Sequence, residues 1–314
     1  MNNNALYLAP MVGRTDMFFR SFIRILSENI NLFTEMITCD AFIYTDRKEY
    51  KVADYEHYLT IQLAGQDPQK YIVCSKIIND NNYDEINLNI GCPSSKVVKG
   101  AFGACLMKSP DTVAEIVERI RENTDVPISI KTRLGLDYNE SLDLLDELIE
   151  KTSRVGCEKF FIHARNAVLG KLSPKKNRTI PNLRYDDALL IKKKYPELSF
   201  VLNGGVDEIN KIKKYSPLFN GIMIGRKIYD DPMFIYDIEK TFSMNSSILS
   251  RKQILENYLD KTSKHHSKVS NYLILRHLYG LYYNTHLSKK WKKFLHKIIH
   301  DESKINQLIE FKEN

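Results

Sequence analysis

Eight short apolar runs recur within residues 1–242, and segments with helical spacing separate most of them. The candidate strands are Ala5–Ala9, Leu32–Glu35, Leu59–Leu63, Glu85–Asn89, Pro127–Lys131, Lys159–His163, Leu198–Asn203 and Gly221–Ile224. Helical spacing runs through Asp111–Asn123, Glu140–Thr152 and Tyr185–Lys194. Strands alternating with helices make βαβ units, and these build a parallel sheet. Eight units match a (β/α)8 TIM barrel, a fold of about 250 residues. The rival, a doubly wound sheet, would carry a G-x-G-x-x-G turn after its first strand. Nothing of that kind follows Ala5–Ala9.

After Phe242 the pattern changes. Ser243–Ser250 is rich in Ser and Asn and reads as a linker. Arg251–Asn314 loses the strands, reads as all helix and becomes basic, with Lys264-His-His-Ser-Lys268, Arg276-His277 and Lys289-Lys-Trp-Lys-Lys293. The expected organisation is therefore a barrel domain over residues 1–242 and a helical domain over 251–314. Hydrophobic residues at 43% and charged residues at 27% exclude wholesale disorder. No run approaches the roughly 20 apolar residues of a membrane span. The start, Met1-Asn-Asn-Asn-Ala-Leu-Tyr, lacks the basic and apolar regions of a secretory signal. The odd count of five cysteines includes no C-x-x-C pair, so neither a disulfide framework nor a metal site is indicated. A reducing cytoplasmic setting is expected. The balance of 46 basic against 39 acidic residues hints at an anionic partner only through its placement.

Polar and unusual residues cluster at or just after the strand ends, which in a barrel form the one face where active sites are built. Pro10-Met11 follows the first strand, and Gln62 lies within the third. Asn89-Ile-Gly-Cys92 ends the fourth, Lys131-Thr-Arg133 the fifth and His163-Ala-Arg165 the sixth. Asn203-Gly204-Gly205 and Gly225-Arg226 end the last two. Small residues with a guanidinium at the seventh and eighth strands suit a phosphate; tight turns alone are the blander reading. Cys92, on a Gly-Cys-Pro turn at the rim, is placed to act as nucleophile or general acid. Cys105 competes, but its apolar neighbours suggest packing, as do those of Cys74 and Cys157. Lys131 and His163 could stabilise developing negative charge, although His163 could equally be a satisfied core histidine. Gln62 could offer an amide to a heterocycle, and Met11 could pack on a flat ring. Two basic stretches lie elsewhere, the loop Lys171–Arg178 and the lysines around Trp291. Cations with an aromatic suit nucleic acid; a solvated helix face is the alternative for the second.

These motifs together resemble the tRNA-dihydrouridine synthases, flavoenzymes on an FMN-binding barrel. The stretches that carry the resemblance are Ala9-Pro-Met-Val-Gly-Arg-Thr-Asp16, Gln62-Leu-Ala-Gly65, Leu88-Asn-Ile-Gly-Cys-Pro-Ser94 and Gly103-Ala-Cys-Leu-Met107. Ile130-Lys-Thr-Arg-Leu-Gly135, His163-Ala-Arg165, Asn203-Gly-Gly205 and Gly225-Arg226 continue it in order. Leu172–Pro181, Arg276-His277 and Trp291 resemble the A subgroup, which reduces uridines 20 and 20a of the tRNA D-loop; Asn182 departs from the proline usual there.

The resemblance implies FMN at Pro10, Met11, Val12, Gln62, Lys131, His163, Asn203, Gly204, Gly205, Gly225 and Arg226. It implies NADPH, or NADH, as reductant, hydride transfer from FMN N5 to uracil C6, and a proton from Cys92 to C5. It implies tRNA contact at Asn89 and at the basic loop with Lys175, Lys176 and Arg178, and tRNA binding by the C-terminal helices, where Lys290 and Lys293 are the candidate contacts. A free-pyrimidine or enoate flavin reductase would have no use for the basic tail. A turnover-free RNA-binding protein would need neither Cys92 nor the phosphate loops.

Overall fold

Parallel pairing closes into a ring. The computed structural model describes residues 5–45, 52–242, 248–266 and 268–313. Its strands are β1 (Ala5–Leu8), β2 (Ile30–Thr38), β3 (Leu59–Ala64) and β4 (Glu85–Ile90). β5 (Ile128–Arg133), β6 (Lys159–His163), β7 (Ser199–Asn203) and β8 (Gly221–Ile224) follow. Each pairs with the next, and β8 pairs with β1, so the sheet is a closed eight-stranded barrel.

The strand sequences explain the two faces. In β4, Ile86, Leu88 and Ile90 point outward into the apolar layer under the helices, as do Ile128 and Ile130 of β5. The alternate positions, Glu85, Asn87 and Asn89 with Ser129, Lys131 and Arg133, point inward. Tyr7, Ala9, Phe33, Phe161, Val201 and Met223 form a separate apolar cluster inside the barrel. β2 runs three residues beyond the expected Leu32–Glu35 because of an irregularity between Phe33 and Met36. There the Thr34 hydroxyl takes the place of a ladder carbonyl, accepting the Gln62 N–H at 3.0 Å.

Three longer helices follow the residues expected of them: Pro110–Arg121, Asp143–Arg154 and Tyr185–Lys194. Beyond β8 the described residues hold no strand. Helices Arg251–Thr262, Asn271–Leu275 and Ser288–Ile299 are joined by short 3-10 turns. Ser250 caps the first of them in a capping box with Gln253. Residues 243–247 of the expected linker lie outside the described residues. Among the described residues, no helix is long and apolar enough to cross a membrane.

Trp291 corrects one expectation. It is fully buried, its Nε1 donates to Leu278 O at 2.8 Å, and its ring packs on Tyr282, Phe294 and Phe311. It is a core residue of the tail and is closed to a stacking base. Trp291, Leu295 and Ile298 form the buried stripe, while Lys289, Lys292 and Lys293 stay on the exposed faces.

The tail is fastened to the first barrel helix, Met17–Leu26. Phe22 meets Tyr258, and Phe19 meets His277. Asp16 caps that helix through the N–H groups of Phe18 and Phe19 at 3.1 and 3.0 Å. The same carboxylate accepts from Arg276 at 2.5 Å and meets His277 Nε2 at 2.9 Å. Burial alone would raise the Asp16 pKa, but His277, the Phe19 N–H and Arg276 outweigh it and hold the carboxyl below its usual range. Asp16→Asn should lower stability by about 2–4 kcal/mol at neutral pH, a lost charge pair with a weakened cap. Because the folded pKa is depressed, the Asp16 contribution is full above about pH 4 and fades as pH falls further. Urea unfolding of both proteins at pH 7 and pH 3 should show the gap narrow by about 1 kcal/mol in acid.

Candidate active site

The Cys92 turn is shaped by Asn89. Its Oδ1 accepts the N–H groups of Gly91 and Cys92 at 3.3 and 3.0 Å, and its Nδ2 donates to Gln62 Oε1 at 2.8 Å. Ala104 N–H then binds Cys92 O at 3.1 Å. Gly103, at φ +60°, makes that approach possible: a Cβ there would lie 2.4 Å from Val97 Cγ1 and 2.9 Å from Cys92 O. Cys92 is partly exposed, whereas Cys39, Cys74 and Cys157 are buried. Cys105 is partly exposed as well, on the short turn Gly103–Lys108.

Around the thiol the charge is positive. Lys131 Nζ donates to Asn203 Oδ1 at 3.0 Å, and Asn203 Nδ2 donates to Met223 O at 2.9 Å. Burial, helped by the nearby Arg133, pulls the Lys131 pKa down to about 7. Arg133, also buried, is pulled down to about 9. Burial first, then Arg133, Lys131, Arg165 and Arg226, drives His163 well below the usual imidazole range, so its ring is neutral. The imidazole therefore offers one N–H and no charge. Arg178 is lowered by burial and by the charges of Arg226 and Arg14.

Arg133, which the sequence places on the rim without a role, and Asn177, which it does not single out, hold this face together. Arg133 donates from Nε to Gly91 O at 3.2 Å and from one terminal nitrogen to Asn166 O and Asn177 O at 3.2 and 3.1 Å. It thereby ties the Cys92 turn to the long loop after β6. Asn177, fully buried, accepts Val168 N–H at 2.7 Å and donates to Val168 O and Leu172 O at 2.8 and 3.0 Å. The loop is thus folded around Asn177, with Lys175 and Lys176 exposed on its outside and Arg178 half-buried. Two residues along β5 from Lys131, Arg133 could have been found by strand alternation; Asn177 carries no such signal.

The small residues gather on the other side of the rim. Gly204 has φ +103°, and a Cβ there would lie 2.5 Å from the His163 ring. Tyr185 donates its O–H to Gly204 O at 2.7 Å and braces that loop. A Cβ on Gly225 would come 3.1 Å from Ala9 and 3.3 Å from Met11 Sδ, so the ends of β1 and β8 meet. Met11 is buried, Pro10 is half-buried, and Val12 is 68% exposed. Arg226 is exposed and donates to Arg178 O at 3.3 Å. The structure therefore brings Met11, Gln62, Asn89, Cys92, Lys131, His163, Asn203 and the three glycines to one barrel mouth. Lys290 and Lys293 stand apart on the tail. Lys290 is already engaged, donating to Lys312 O at 2.9 Å beside the Phe311 ring.

A thiol on a hydrogen-bonded turn among cations at the C-terminal end of a parallel barrel occupies the face where barrel enzymes build their active sites. The profile described as "Dihydrouridine synthase (Dus)" matches residues 7–314. The chain therefore belongs to the dihydrouridine synthase family, oxidoreductases that act on tRNA uridines. It is 37% identical over 297 residues to the tRNA-dihydrouridine(20/20a) synthase of Synechocystis sp., covering 93% of this chain and 88% of that one. The enzyme of the same name from Vibrio vulnificus is 37% identical over 300 residues, covering 94% and 91%. The Escherichia coli enzyme of that name is 35% identical over 298 residues, covering 93% and 89%. Among solved structures, a 2-naphthoyl-CoA reductase complex matches with TM-score 0.55 and 12% identity. It covers 76% of this chain and half the length of that protein, and it bears on the fold alone.

Asn177→Ala should cost about 2–4 kcal/mol, since it leaves buried backbone groups of Val168 and Leu172 unpaired. It should also free the loop, so that trypsin cuts faster after Lys171, Lys175 and Lys176. An unchanged digestion pattern would mean that Arg133 alone holds the loop.

Proposed function

We infer that this chain reduces uridines 20 and 20a in the D-loop of tRNA, with FMN on the barrel rim and NADPH or NADH as reductant. The observation that carries the reading is the uncompensated positive rim. The largest charges acting on His163 are its cationic neighbours Arg133, Lys131, Arg165 and Arg226. A partly buried cluster of like charge is unfavourable alone and becomes favourable with an anionic phosphate seated among it. The residues present fit FMN. At Gly204 and Gly205 a Cβ would strike the His163 ring, Leu183 and Tyr185, so glycine is what lets this loop's backbone lie close against the rim. The Nε atoms of Arg165 and Arg178 are buried without a hydrogen-bond partner.

Arg226, with the glycine loops, would hold the phosphate, and Gln62, Lys131 and Asn203 the ring system beside Met11. Pro10, Val12 and His163 complete that assignment. FMN, when bound, supplies the hydride that reduces the uracil ring. The work of the chain is to orient and to move a proton. Lys131, near neutral in charge balance, gains full protonation beside an anion and stabilises negative charge developing on the base. Cys92 must be protonated when it acts, because its role is to give a proton to C5. Asn89 fixes the turn that aims the thiol. The uridine has to leave its stack to arrive there, as a base does for any enzyme that works on its ring.

For the RNA, the rim and tail offer two surfaces. Lys175, Lys176 and Arg178 lie on the β6 loop. On the tail, Lys290 and Lys293 are the lysine candidates, and with Trp291 buried the exposed aromatics include Tyr272, 53% exposed and 5.9 Å from the Arg276 guanidinium, and Tyr283, 48% exposed. Residues 1–242 would then carry the chemistry and 251–314 much of the tRNA affinity, in a cytoplasmic setting.

Cys92→Ala should retain FMN and its reduction by NADPH yet lose about 10²–10⁴ in uridine reduction, the usual contribution of a general acid. Cys105→Ala should do much less. Mapping of dihydrouridine in tRNA treated with each variant checks both, and wild-type turnover by Cys92→Ala would sink the assignment. Replacing Lys290 and Lys293 with Ala should weaken tRNA binding and flatten its salt dependence, because fewer counterions are released. Filter binding across a salt series measures it; an unchanged slope would transfer the contacts to Lys175, Lys176 and Arg178.

A further inference from the structure

A row of buried polar side chains runs down the inside of the barrel, from the Cys92 turn at the mouth to the floor. At the floor, Lys159 Nζ donates to Glu85 Oε2 at 2.5 Å. The Ser129 hydroxyl donates to Glu85 Oε1 at 2.5 Å, and Asn87 Nδ2 donates to Ser129 Oγ at 2.8 Å. Gln62 Nε2 donates to Asn87 Oδ1 at 2.7 Å, and Asn89 Nδ2 to Gln62 Oε1 at 2.8 Å. The row ends where Asn89 Oδ1 accepts the backbone N–H groups of Gly91 and Cys92. Glu85, Asn87, Ser129 and Gln62 are all closed to solvent.

Every link points the same way, and the carboxylate is the reason. An ionised carboxylate accepts and cannot donate. Ser129 therefore turns its single proton to Glu85 and receives the Asn87 amide on its oxygen. Asn87 then presents its carbonyl to Gln62, and Gln62 presents its carbonyl to Asn89. Each amide spends one N–H within the row, so the second N–H of Gln62 and of Asn89 remains for a ligand. Amides hold donor and acceptor in fixed places, so the row transmits orientation. A fully buried carboxylate is costly, and floor packing would be served as well by an apolar residue. The opposite wall does so, with Tyr7, Phe33, Phe161, Val201 and Met223.

We propose that Glu85 is a positioning residue for the reaction at the mouth, setting which way round the Gln62 and Asn89 amides face and, through Asn89, the seat of Cys92. The proposal rests on the reading of the rim as the FMN and uridine site. Glu85→Gln tests it with little change of shape. The new side chain can offer Lys159 a carbonyl only by turning its amide nitrogen toward Ser129. Ser129 then either leaves its own proton unpaired or gives it to Asn87; in the second case Asn87 and Gln62 reverse, and Gln62 meets Asn89 donor to donor, because Asn89 is pinned by Gly91 and Cys92. Ser129→Ala cuts the row one link higher and leaves the Glu85–Lys159 pair in place.

Both variants, in a Cys105→Ala background, are compared with that parent in three measurements. These are single-turnover uridine reduction at saturating tRNA, the visible spectrum of bound FMN, and, after FMN is stripped, the rate at which a disulfide reagent modifies Cys92. Both should slow reduction by on the order of tenfold to a hundredfold, the effect of a small misplacement of reacting groups, with KM for tRNA unchanged. Both should shift the flavin spectrum and alter Cys92 reactivity. If Glu85→Gln only lowers thermal stability, and Ser129→Ala matches the parent in rate, spectrum and thiol reactivity, the carboxylate is a floor ion pair and the proposal is overturned. Should Glu85→Gln fail to fold, Ser129→Ala decides by the same readouts. If the parent reduces no uridine in tRNA, the functional reading fails, and Cys92 reactivity in the stripped protein still decides the role of the row.

Discussion

Cations held by backbone carbonyls, and left without carboxylates, are what the active face depends on. Arg133 is anchored by Gly91 O, Asn166 O and Asn177 O, Arg226 by Arg178 O, and Arg165 by Pro181 O and Thr179 O. A carbonyl fixes a guanidinium in space but does not cancel its charge. Elsewhere the chain does the opposite: Arg20 is matched by Glu56 and Arg276 by Asp16. The contrast separates two uses of arginine in one molecule. At Arg20 and Arg276 a carboxylate neutralises an arginine that ties elements together. At the mouth no carboxylate offsets burial and the neighbouring cations, so the charged forms are penalised and Lys131 is pulled to about 7 and Arg133 to about 9. A bound polyanion relieves that cost, so binding and local stability are linked.

The barrel interior has the complementary division. β3, β4 and β5 supply a polar wall, and β1, β2, β6, β7 and β8 supply an apolar one at mid-barrel, with His163 and Asn203 polar at the mouth and Lys159 at the floor. A parallel sheet buried on both faces usually reads as a continuous hydrophobic run. Here β4 reads Glu-Ile-Asn-Leu-Asn-Ile, so its outer face still packs under the helices while its inner face carries hydrogen bonds. Lys159 bridges the two walls, paired with Glu85 and set 6.0 Å from the Tyr7 ring centre.

The features legible in the sequence are those with a local cause. β6 and β8 fall on the expected residues because each is a short apolar run bounded by turn signals. The Gly-Cys-Pro turn announces an accessible thiol for the same reason. β2 extends past Glu35 because a hydroxyl from Thr34 repairs the ladder, a pairing that only the neighbouring strand reveals. Lysines around Trp291 suggest a nucleic-acid surface when read as a cluster. Read at helical spacing, Trp291, Leu295 and Ile298 already describe a buried stripe. Asn177 was illegible because its partners, the backbone groups of Val168 and Leu172, become neighbours only once the loop has folded.

The tail is more than an appendage, because its clasp is built into the loop that leads to the active face. Asp16 closes the segment that begins at Pro10 and Met11, and Arg14 N–H and Thr15 N–H both bind Met11 O. Thr15 Oγ1 also accepts the Met11 N–H at 3.0 Å. A displacement of Arg276 or His277 is therefore felt at Asp16 and, through this short turn, at Met11. On the outer side of the same clasp, the Arg14 guanidinium lies 4.3 Å over the Tyr229 ring, and Arg276 lies beside Tyr272. Cations and aromatic faces thus sit together on the junction that fixes the tail to the barrel. A macromolecule gripping that junction touches both parts at once. The path from that junction to Met11 is a short hydrogen-bonded turn, while the seat of Cys92 rests on Asn89 and the buried row beneath it.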